Sequence, residues 1–286
     1  MRFLWTWLLC IPLVSAQSSL GLKLPRKQWV GLGFYLAPYP PGKTPLVYES
    51  CYSDPDLFLK LPYEKNQGSL LTGTGWKGRV FSLKGDGGLS AWCVADQKGL
   101  IPELVFYKDL LEAKRLYDSK MVWLKQDYFY SFGEGFRTRK YKAKKFQAVK
   151  VSGVELSPVS QHRSILIKLK DEKGYPGFFE ITMTGVNRLG PYRGLGEYCY
   201  LDHPRDYFQV KDHVWEKIEE SRVILGMSAE EVALAIGDPF QDNFLSPTRT
   251  MVYRLEGKLY EFVFFKGRLD QVLPYSRDGI EMIGNQ

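Results

Sequence analysis

Residues 224–239, ILGMSAEEVALAIGDP, contain signals for both the start and the end of a short helix. Ser228 is a favourable N-cap residue, and Glu231 follows three positions later, which is the spacing of a capping box. Met227 precedes the cap and Val232 occupies the fourth helical position, as in a hydrophobic staple. The spacing therefore predicts a helix that begins directly after Ser228.

The same helix has a predicted end and a narrow apolar face. Gly237 can adopt the left-handed conformation that ends a helix, and Pro239 prevents its continuation. Val232, Ala235 and Ile236 lie on one side at helical spacing. A helix of about nine residues is marginal in water by itself, so we expect it to pack against another element.

The residues around this helix supply that element. A helical pattern precedes it and three strand patterns with glycine turns follow it, at 211–224, 250–257, 258–265 and 267–275. Alternation places Met251, Tyr253 and Leu255 on one face of the first strand. We predict a two-layer ααβββ module, in which two short helices cover one face of a three-stranded antiparallel meander.

This order of elements resembles the SmpA/OmlA family, whose module is also called BamE-like. The resemblance covers residues 213–275, and the matching positions are Gly226, Met227, Val232, Gly237, Pro239, Tyr253, Phe264 and Gly267. The best-known members are small lipoproteins that help to assemble outer-membrane β-barrel proteins. The resemblance therefore implies a partner-binding module without catalytic residues, in which Ser228, Glu231 and the matching positions are structural.

Short strands and turns dominate the sequence before residue 211. The chain has 286 residues, of which 44% are hydrophobic, 25% charged and 15% aromatic, as in a folded rather than a disordered protein. A helical pattern at 102–119 separates two groups of short strands, which resemble SH3-like barrels by analogy of fold. We predict a mainly β protein, α+β overall, with an N-terminal β domain, a second SH3-like β domain and a BamE-like domain at 24–101, 102–210 and 211–286.

The sequence GTGWKG at 73–78 has the spacing of a dinucleotide-binding loop. Such a loop must open a helix whose amides meet the phosphates, whereas a strand pattern follows here. We therefore interpret these glycines as turn residues and expect no cofactor.

The first residues combine one positive charge, an apolar run and a small-x-small cleavage site before Gln17. This pattern predicts a signal peptide at 1–16 and a periplasmic or secreted protein, with outer-membrane association as an option. A membrane anchor and a lipid-modified Cys10 are the alternatives, but the apolar run is short for a membrane span. No later run reaches the length of a span, so we expect no transmembrane segment after cleavage. Loss of Arg2 leaves 38 of the 39 basic residues against 32 acidic ones, a net charge of +6.

Three cysteines follow the predicted signal peptide. Cys51 and Cys93 lie in strand patterns of the first third of the chain, so we predict a disulfide between them and a buried Cys199 thiol. Three cysteines without a CxxC motif, together with three histidines, do not suit a structural zinc site, and we expect no bound metal.

Residues 137–146, RTRKYKAKKF, form a basic segment. Its candidate partner-binding residues are Arg137, Arg139, Lys140, Tyr141 and Lys142, followed by Lys144 and Lys145. Such a segment suits an anionic surface or an acidic protein. The alternative is a solvated sheet edge, where lysines discourage aggregation between strands. A secretion signal without any nucleic-acid-binding motif leads us to expect no nucleic-acid partner.

We expect a non-catalytic protein that binds proteins or other components of the cell envelope, in outer-membrane protein assembly or envelope maintenance. An aromatic patch at Tyr253 and Tyr260 is a second candidate surface. One alternative is an envelope hydrolase with Cys199 as nucleophile and His203 as base. Another is a protein inhibitor that blocks the cleft of an enzyme.

Overall fold

The computed structural model describes residues 25–39, 46–132, 138–158, 165–183 and 194–275. The protein is mainly β, with 45% of these residues in strands and 20% in helices, and its sheets are curled into half-barrels. The predicted signal peptide and Arg137 lie outside the described ranges. Two compact units are distinguished. Unit 1 comprises the described residues of Met1–Leu116, Glu155–Leu166 and Glu180–Gly194, and unit 2 those of Tyr117–Val154, Ile167–Phe179 and Leu195–Gln286.

The first sheet is built from seven short strands. They are β1 (Gly33–Leu36), β2 (Val47–Tyr52), β3 (Lys60–Pro62), β4 (Leu70–Lys77), β5 (Val80–Gly85), β6 (Ser90–Val94) and β7 (Leu104–Phe106). Their order in the sheet is β3-β2-β6-β5-β4-β1-β7. A one-turn helix, α1 (Tyr63–Asn66), separates β3 from β4, and α2 (Tyr107–Tyr117) follows β7.

Alternating side chains of the first sheet form an apolar core. Phe81 and Leu83 of β5 are buried, whereas the residues between and beside them reach solvent, which is the period of two expected of a strand. The rings of Trp29, Phe34 and Phe81 meet in this core with centroids 5.3 to 5.7 Å apart. Such aromatic contacts add to the free energy gained by burying the rings.

A disulfide joins two neighbouring strands of this core. Cys51 of β2 lies opposite Cys93 of β6, and their sulfur atoms are bonded, which is the pairing that the sequence predicts. Strand β7 pairs with β1 and extends the sheet beyond residue 101, where the N-terminal domain was expected to end. All three residues of β7 are buried, so this apolar run joins the sheet instead of the helix that was predicted to contain it.

The glycines at 73–78 are not all turn residues, contrary to the interpretation from sequence. Gly73 and Gly75 lie inside β4, on either side of a register shift, and Gly78 with a φ of +60° forms the turn to β5. A Cβ atom at Gly73 would lie 2.6 Å from the carbonyl oxygen of Trp29, so only glycine fits there. Close approach of two backbone segments therefore explains this glycine.

The second sheet also has seven strands. They are β8 (Met121–Leu124), β9 (Tyr128–Phe132), β10 (Thr138–Lys142), β11 (Ala148–Leu156), β12 (Ile165–Lys170), β13 (Pro176–Ile181) and β14 (Cys199–Tyr200). Their order is β10-β9-β13-β12-β11-β8-β14, so β10 and β14 are the edge strands. Residues 138–142 of the predicted basic segment thus form one edge of this sheet.

The C-terminal residues form three helices and a four-stranded antiparallel sheet. These elements are α3 (Pro204–Tyr207), α4 (Asp212–Glu219), α5 (Ala229–Ile236), β15 (Gln241–Leu245), β16 (Thr248–Leu255), β17 (Lys258–Phe265) and β18 (Arg268–Pro274). The sequence predicts only the last three strands. Every residue of β15 is exposed, so that strand has no apolar alternation to reveal it. None of the helices within the described ranges is both long enough and apolar enough to cross a membrane.

The start of α5 has the predicted capping box. The Ser228 hydroxyl accepts a hydrogen bond from the Glu231 amide at 3.2 Å, and the Glu231 carboxylate accepts one from the Ser228 amide at 2.6 Å. Gly237 ends the helix with a φ of +92°. The backbone amides of Ser228 and Glu231 are therefore both hydrogen-bonded, as a capping box requires.

The helices α4 and α5 share one apolar core with the third sheet. Its fully buried members include Trp215, Val232 and Phe264. The core also contains Phe146, which precedes β11, and the partly buried Tyr200 of β14 packs against it. Side chains from before residue 211 therefore complete the core of the C-terminal helices and sheet.

Candidate binding site

The edge strand β10 presents most of its side chains to solvent. Thr138, Arg139, Lys140 and Lys142 are exposed, and only Tyr141 is half-buried. We call these five residues the basic strand. Three cations on one short strand make this sheet edge strongly positive.

Alternation of hydrogen bonds fixes which backbone groups of the basic strand point away from β9. The Ala143 amide donates to the Asp127 carbonyl at 2.7 Å, in register with the pairing of β10 and β9. In an antiparallel ladder every second residue makes such bonds. Arg139 and Tyr141 therefore bond to β9, whereas Lys140 and Lys142 direct their amide and carbonyl groups outward.

Tyr141 anchors the basic strand to the body of the sheet. Its ring stacks on Phe129 of β9 with centroids 4.9 Å apart, and it contacts Tyr175 at 5.3 Å. Partial burial, together with the neighbouring Tyr175 and Asp171, raises the pKa of the Tyr141 hydroxyl. The hydroxyl therefore stays protonated at neutral pH and can donate a hydrogen bond.

A groove of about 730 Å³ lies beside the basic strand, within unit 2. We call it the lysine groove. Its charged and aromatic lining consists of Lys142, Lys144, Lys145, Lys173, Asp171, Glu172, Glu219, Tyr141, Trp123, Phe146 and His203. These residues come from five separate parts of the sequence, which the second sheet and the elements around it bring together.

The acidic side chains of the groove are mostly engaged by the protein itself. Asp171 accepts hydrogen bonds from the amides of Lys173 and Tyr175, at 2.9 and 2.8 Å, and so closes the turn before β13. Glu219 lies 3.1 Å from the guanidinium of Arg205. Glu172 is the third acidic residue of the lining and is exposed.

Three of the four lysines of the groove have no acidic partner among the described residues. Within the described residues, the side chains of Lys142, Lys144 and Lys173 form no ion pair. The lining has four lysines and three carboxylates, and one of those carboxylates, Glu219, is paired with Arg205, so the groove carries a local excess of positive charge. Its electrostatics favour an anionic ligand.

Lys145 is the least solvated lysine of the groove. Its ammonium donates a hydrogen bond to the carbonyl of Ala235 in the last turn of α5. Burial lowers the pKa of Lys145 to about 8, an effect that the nearby Asp127 partly offsets. A cation at this position also faces the negative end of the helix dipole, which favours the charged form.

The aromatic wall of the groove was not predicted from sequence. Trp123 of β8 contacts the imidazole of His203 edge to face, with centroids 5.8 Å apart. His203 accepts a hydrogen bond on Nδ1 from the Arg205 amide at 3.1 Å and so caps α3. Trp123 precedes the basic strand in the sequence and His203 follows it by more than 50 positions, and no sequence motif connects them.

The second candidate surface, the aromatic patch, needs a correction. Tyr253 is only 2% exposed, and its ring contacts Phe262 edge to face at 4.7 Å. Burial raises the pKa of its hydroxyl. Tyr260, opposite Tyr253 in the sheet, is partly buried against the same core. Tyr253 is therefore a core residue, because the helices cover the sheet face on which it lies.

The geometry around Cys199 weighs against the hydrolase alternative. Cys199 is 1% exposed, and burial raises the pKa of its thiol well above the usual range. A cysteine nucleophile needs the opposite shift, because the thiolate is the reactive form. His203 already uses Nδ1 as a helix cap. Among the described residues, no three His, Cys, Asp or Glu side chains come together in a way that could hold a metal ion.

The chain was compared with models of protein families, with curated proteins and with solved structures, and none of the three comparisons finds a match.

Proposed function

We propose that this protein is a non-catalytic binding protein of the cell envelope, which holds an acidic segment of a partner protein in the lysine groove. The observation that supports this most is a concave surface at which Lys142, Lys144 and Lys173 form no ion pair with any residue that the structure describes. Lysines without acidic partners attract an anionic partner and repel a basic one.

A protein segment fits the groove better than a membrane surface does. The groove is concave and one wall carries the rings of Trp123 and His203, whereas a lipid surface is flat and cannot enter it. Aromatic rings are common anchors at protein interfaces. We therefore assign the cations to an acidic protein and treat the anionic lipid surface as a competing outcome.

The proposal includes the C-terminal elements as a BamE-like module and the curled sheets before it as SH3-like units. The capping box at Ser228, the two short helices and the antiparallel sheet support the first assignment. The proposed setting is the periplasm or the outside of the cell, on the basis of the predicted signal peptide. Within that setting, assembly of outer-membrane proteins or envelope maintenance is the proposed role.

The test compares binding of poly-L-glutamate to three forms of the protein, by isothermal titration at low and physiological salt. The groove variant carries Lys142→Glu and Lys144→Glu. The control carries Lys258→Glu and Lys266→Glu, which change the net charge equally at exposed positions of β17 and its following turn. We expect the groove variant to bind at least tenfold more weakly than the control, and wild-type affinity to fall as salt rises.

Two results would contradict the proposal. Equal binding by the groove variant and the control would show that total charge, and not the groove, holds the polyanion. Binding of vesicles with anionic phospholipid in preference to poly-L-glutamate, lost in the groove variant, would assign the site to a membrane surface instead.

A further inference from the structure

We propose that the acidic partner adds a strand to the outer edge of β10, so that its backbone extends the second sheet while its carboxylates meet the basic strand. This inference rests on the proposed function and specifies how the partner is held. It identifies the partner by chemistry, as an extended peptide segment that is acidic on both of its faces.

The backbone of β10 is available for such pairing. β10 is an edge strand, and within the ranges that the structure describes no strand pairs with its outer side. Lys140 and Lys142 direct their amide and carbonyl groups outward, as the alternation with β9 requires. Unpaired edge groups of this kind are the template for strand addition.

The side chains of the basic strand determine what kind of strand can be added. Successive residues of a strand point to opposite faces, so Arg139 lies on one face, and Lys140 and Lys142 lie on the other. An added strand therefore meets cations on both faces of the sheet. Acidic residues at successive positions would satisfy both faces, whereas an alternating acidic and apolar segment would satisfy only one.

The same cations exclude the most accessible wrong partner, a second copy of this chain. Pairing of β10 with β10 would bring Arg139, Lys140 and Lys142 close to the same three cations of the copy, and like charges that face each other across a strand pair are unfavourable. Lysines on a sheet edge are a common protection against aggregation. In this protein the cations of β10 make pairing with an acidic strand favourable and pairing with a basic strand unfavourable.

The basic strand leads directly into the lysine groove. Lys142 ends β10 and lines the groove, and Lys144 and Lys145, which follow it in the sequence, line the groove as well. A peptide paired with β10 would therefore continue past the strand into the groove, towards Trp123 and Lys173. The sheet edge fixes the direction of the peptide, and the groove binds the residues beyond the paired part.

The test uses two glutamate-rich peptides of nine residues with identical charge. One is unmodified, and the other carries N-methyl groups on two successive central amides. Successive amides point to opposite edges of a strand, so this change removes an inward N–H whichever edge of the peptide faces β10. We expect the methylated peptide to bind at least tenfold more weakly.

Amide hydrogen exchange gives the second readout. On binding of the unmodified peptide, exchange at the outward amides of Lys140 and Lys142 should slow at least tenfold, whereas the amides of Arg139 and Tyr141 are already bonded to β9 and should change little. On the protein side, Lys140→Pro should abolish the gain in protection and weaken binding at least tenfold. Lys140→Ala, which removes the same charge but keeps the N–H, should weaken binding at most threefold. Far-ultraviolet circular dichroism checks that both variants are folded, and near-ultraviolet circular dichroism checks that the aromatic side chains, including Tyr141, keep their packing.

The outcomes separate this inference from the proposed function. Equal binding of the two peptides would overturn strand addition. So would inorganic polyphosphate that binds as tightly as the unmodified peptide without slowing exchange at the Lys140 amide. Either result would leave a groove that binds anions by charge alone. If none of these probes binds more tightly to wild type than to the Lys142→Glu and Lys144→Glu variant, the proposed function fails as well.

Discussion

Phe146 stacks on Trp215 with ring centroids 5.5 Å apart and ring planes inclined by only 3°. Phe146 has a φ of +56°, an unusual conformation for a residue other than glycine, and it lies between the basic strand and β11. The conformation turns the ring into the core of the C-terminal helices and sheet. Phe146, which directly follows Lys144 and Lys145, thus anchors this part of the groove to α4.

Replacement of this ring should destabilise unit 2. We expect Phe146→Ala to lower the free energy of unfolding by about 3–5 kcal/mol, because it leaves a cavity against Trp215. Urea unfolding followed by tryptophan fluorescence measures the change. Phe244→Ala is a matched control, since Phe244 is 72% exposed on β15 and should change stability by less than about 1 kcal/mol. Equal effects of the two substitutions would contradict the assignment of Phe146 to the core.

Lys145 should make stability depend on pH in the alkaline range. Its pKa is about 8 in the folded protein and 10.5 ordinarily, so between these values the unfolded chain binds more protons than the folded protein does. The free energy of unfolding therefore rises with pH between these two values. As the pH falls from 10.5 towards 8, the folded protein increasingly carries a buried, charged lysine, and this lowers its stability. We expect the stability of wild type relative to Lys145→Met to increase from pH 8 to pH 9.5 in urea unfolding. Lys144→Met is the control for loss of one cation from the same loop. If the stability difference between wild type and Lys145→Met stays constant or falls as the pH rises, the prediction is wrong.

The disulfide should contribute substantially to unit 1. Cys51 and Cys93 are separated by 42 residues, and both lie in the apolar core. Closing a loop of this length in the unfolded chain corresponds to a stabilisation of roughly 4 kcal/mol. We expect a Cys51→Ala and Cys93→Ala double variant to unfold at markedly lower temperature by calorimetry. Reductant should lower the midpoint of wild type towards the same value and leave the double variant unchanged.

The capping box should stabilise α5 by a modest and separable amount. Ser228→Ala removes the side-chain acceptor for the Glu231 amide and should cost about 1 kcal/mol of unfolding free energy. Glu230→Ala changes the same first turn but no capping contact, and it should cost less. In a double-mutant cycle, Ser228→Ala and Glu231→Ala should show coupling, since each residue bonds to the amide of the other. Additive effects would show that the two capping bonds act independently.

Local signals in the sequence predict the C-terminal elements well, because their causes are local. Ser228, Glu231 and Gly237 act on backbone groups within a few positions, so their spacing alone indicates where α5 begins and ends. Strand β15 was not predicted, because the cause of its conformation is not local. All of its side chains are exposed, and its strand conformation comes from pairing with β16, which no local pattern records.

The candidate site was predicted only in part. The sequence identifies the basic segment, since six cations lie within ten residues, but not the groove beside it. Trp123, Lys173 and His203 reach that groove through the pairing of β8 with β11 and β14 and through the turn before β13. Tyr253 was expected at a surface because strand alternation shows which residues share a face, but does not show which face is covered.

The position of β1 in the first sheet has a consequence for how the chain matures during synthesis. β1, the first strand within the described residues, lies between β4 and β7, so it has one neighbour that begins at Leu70 and another that ends at Phe106. Cys93 is made before β7 is complete, so oxidation of the cysteine pair can precede closure of that edge. Among the described strands of the first sheet, β1 comes first in the sequence and is the last to gain both of its neighbours, because β7 is complete only when residue 106 has been translated.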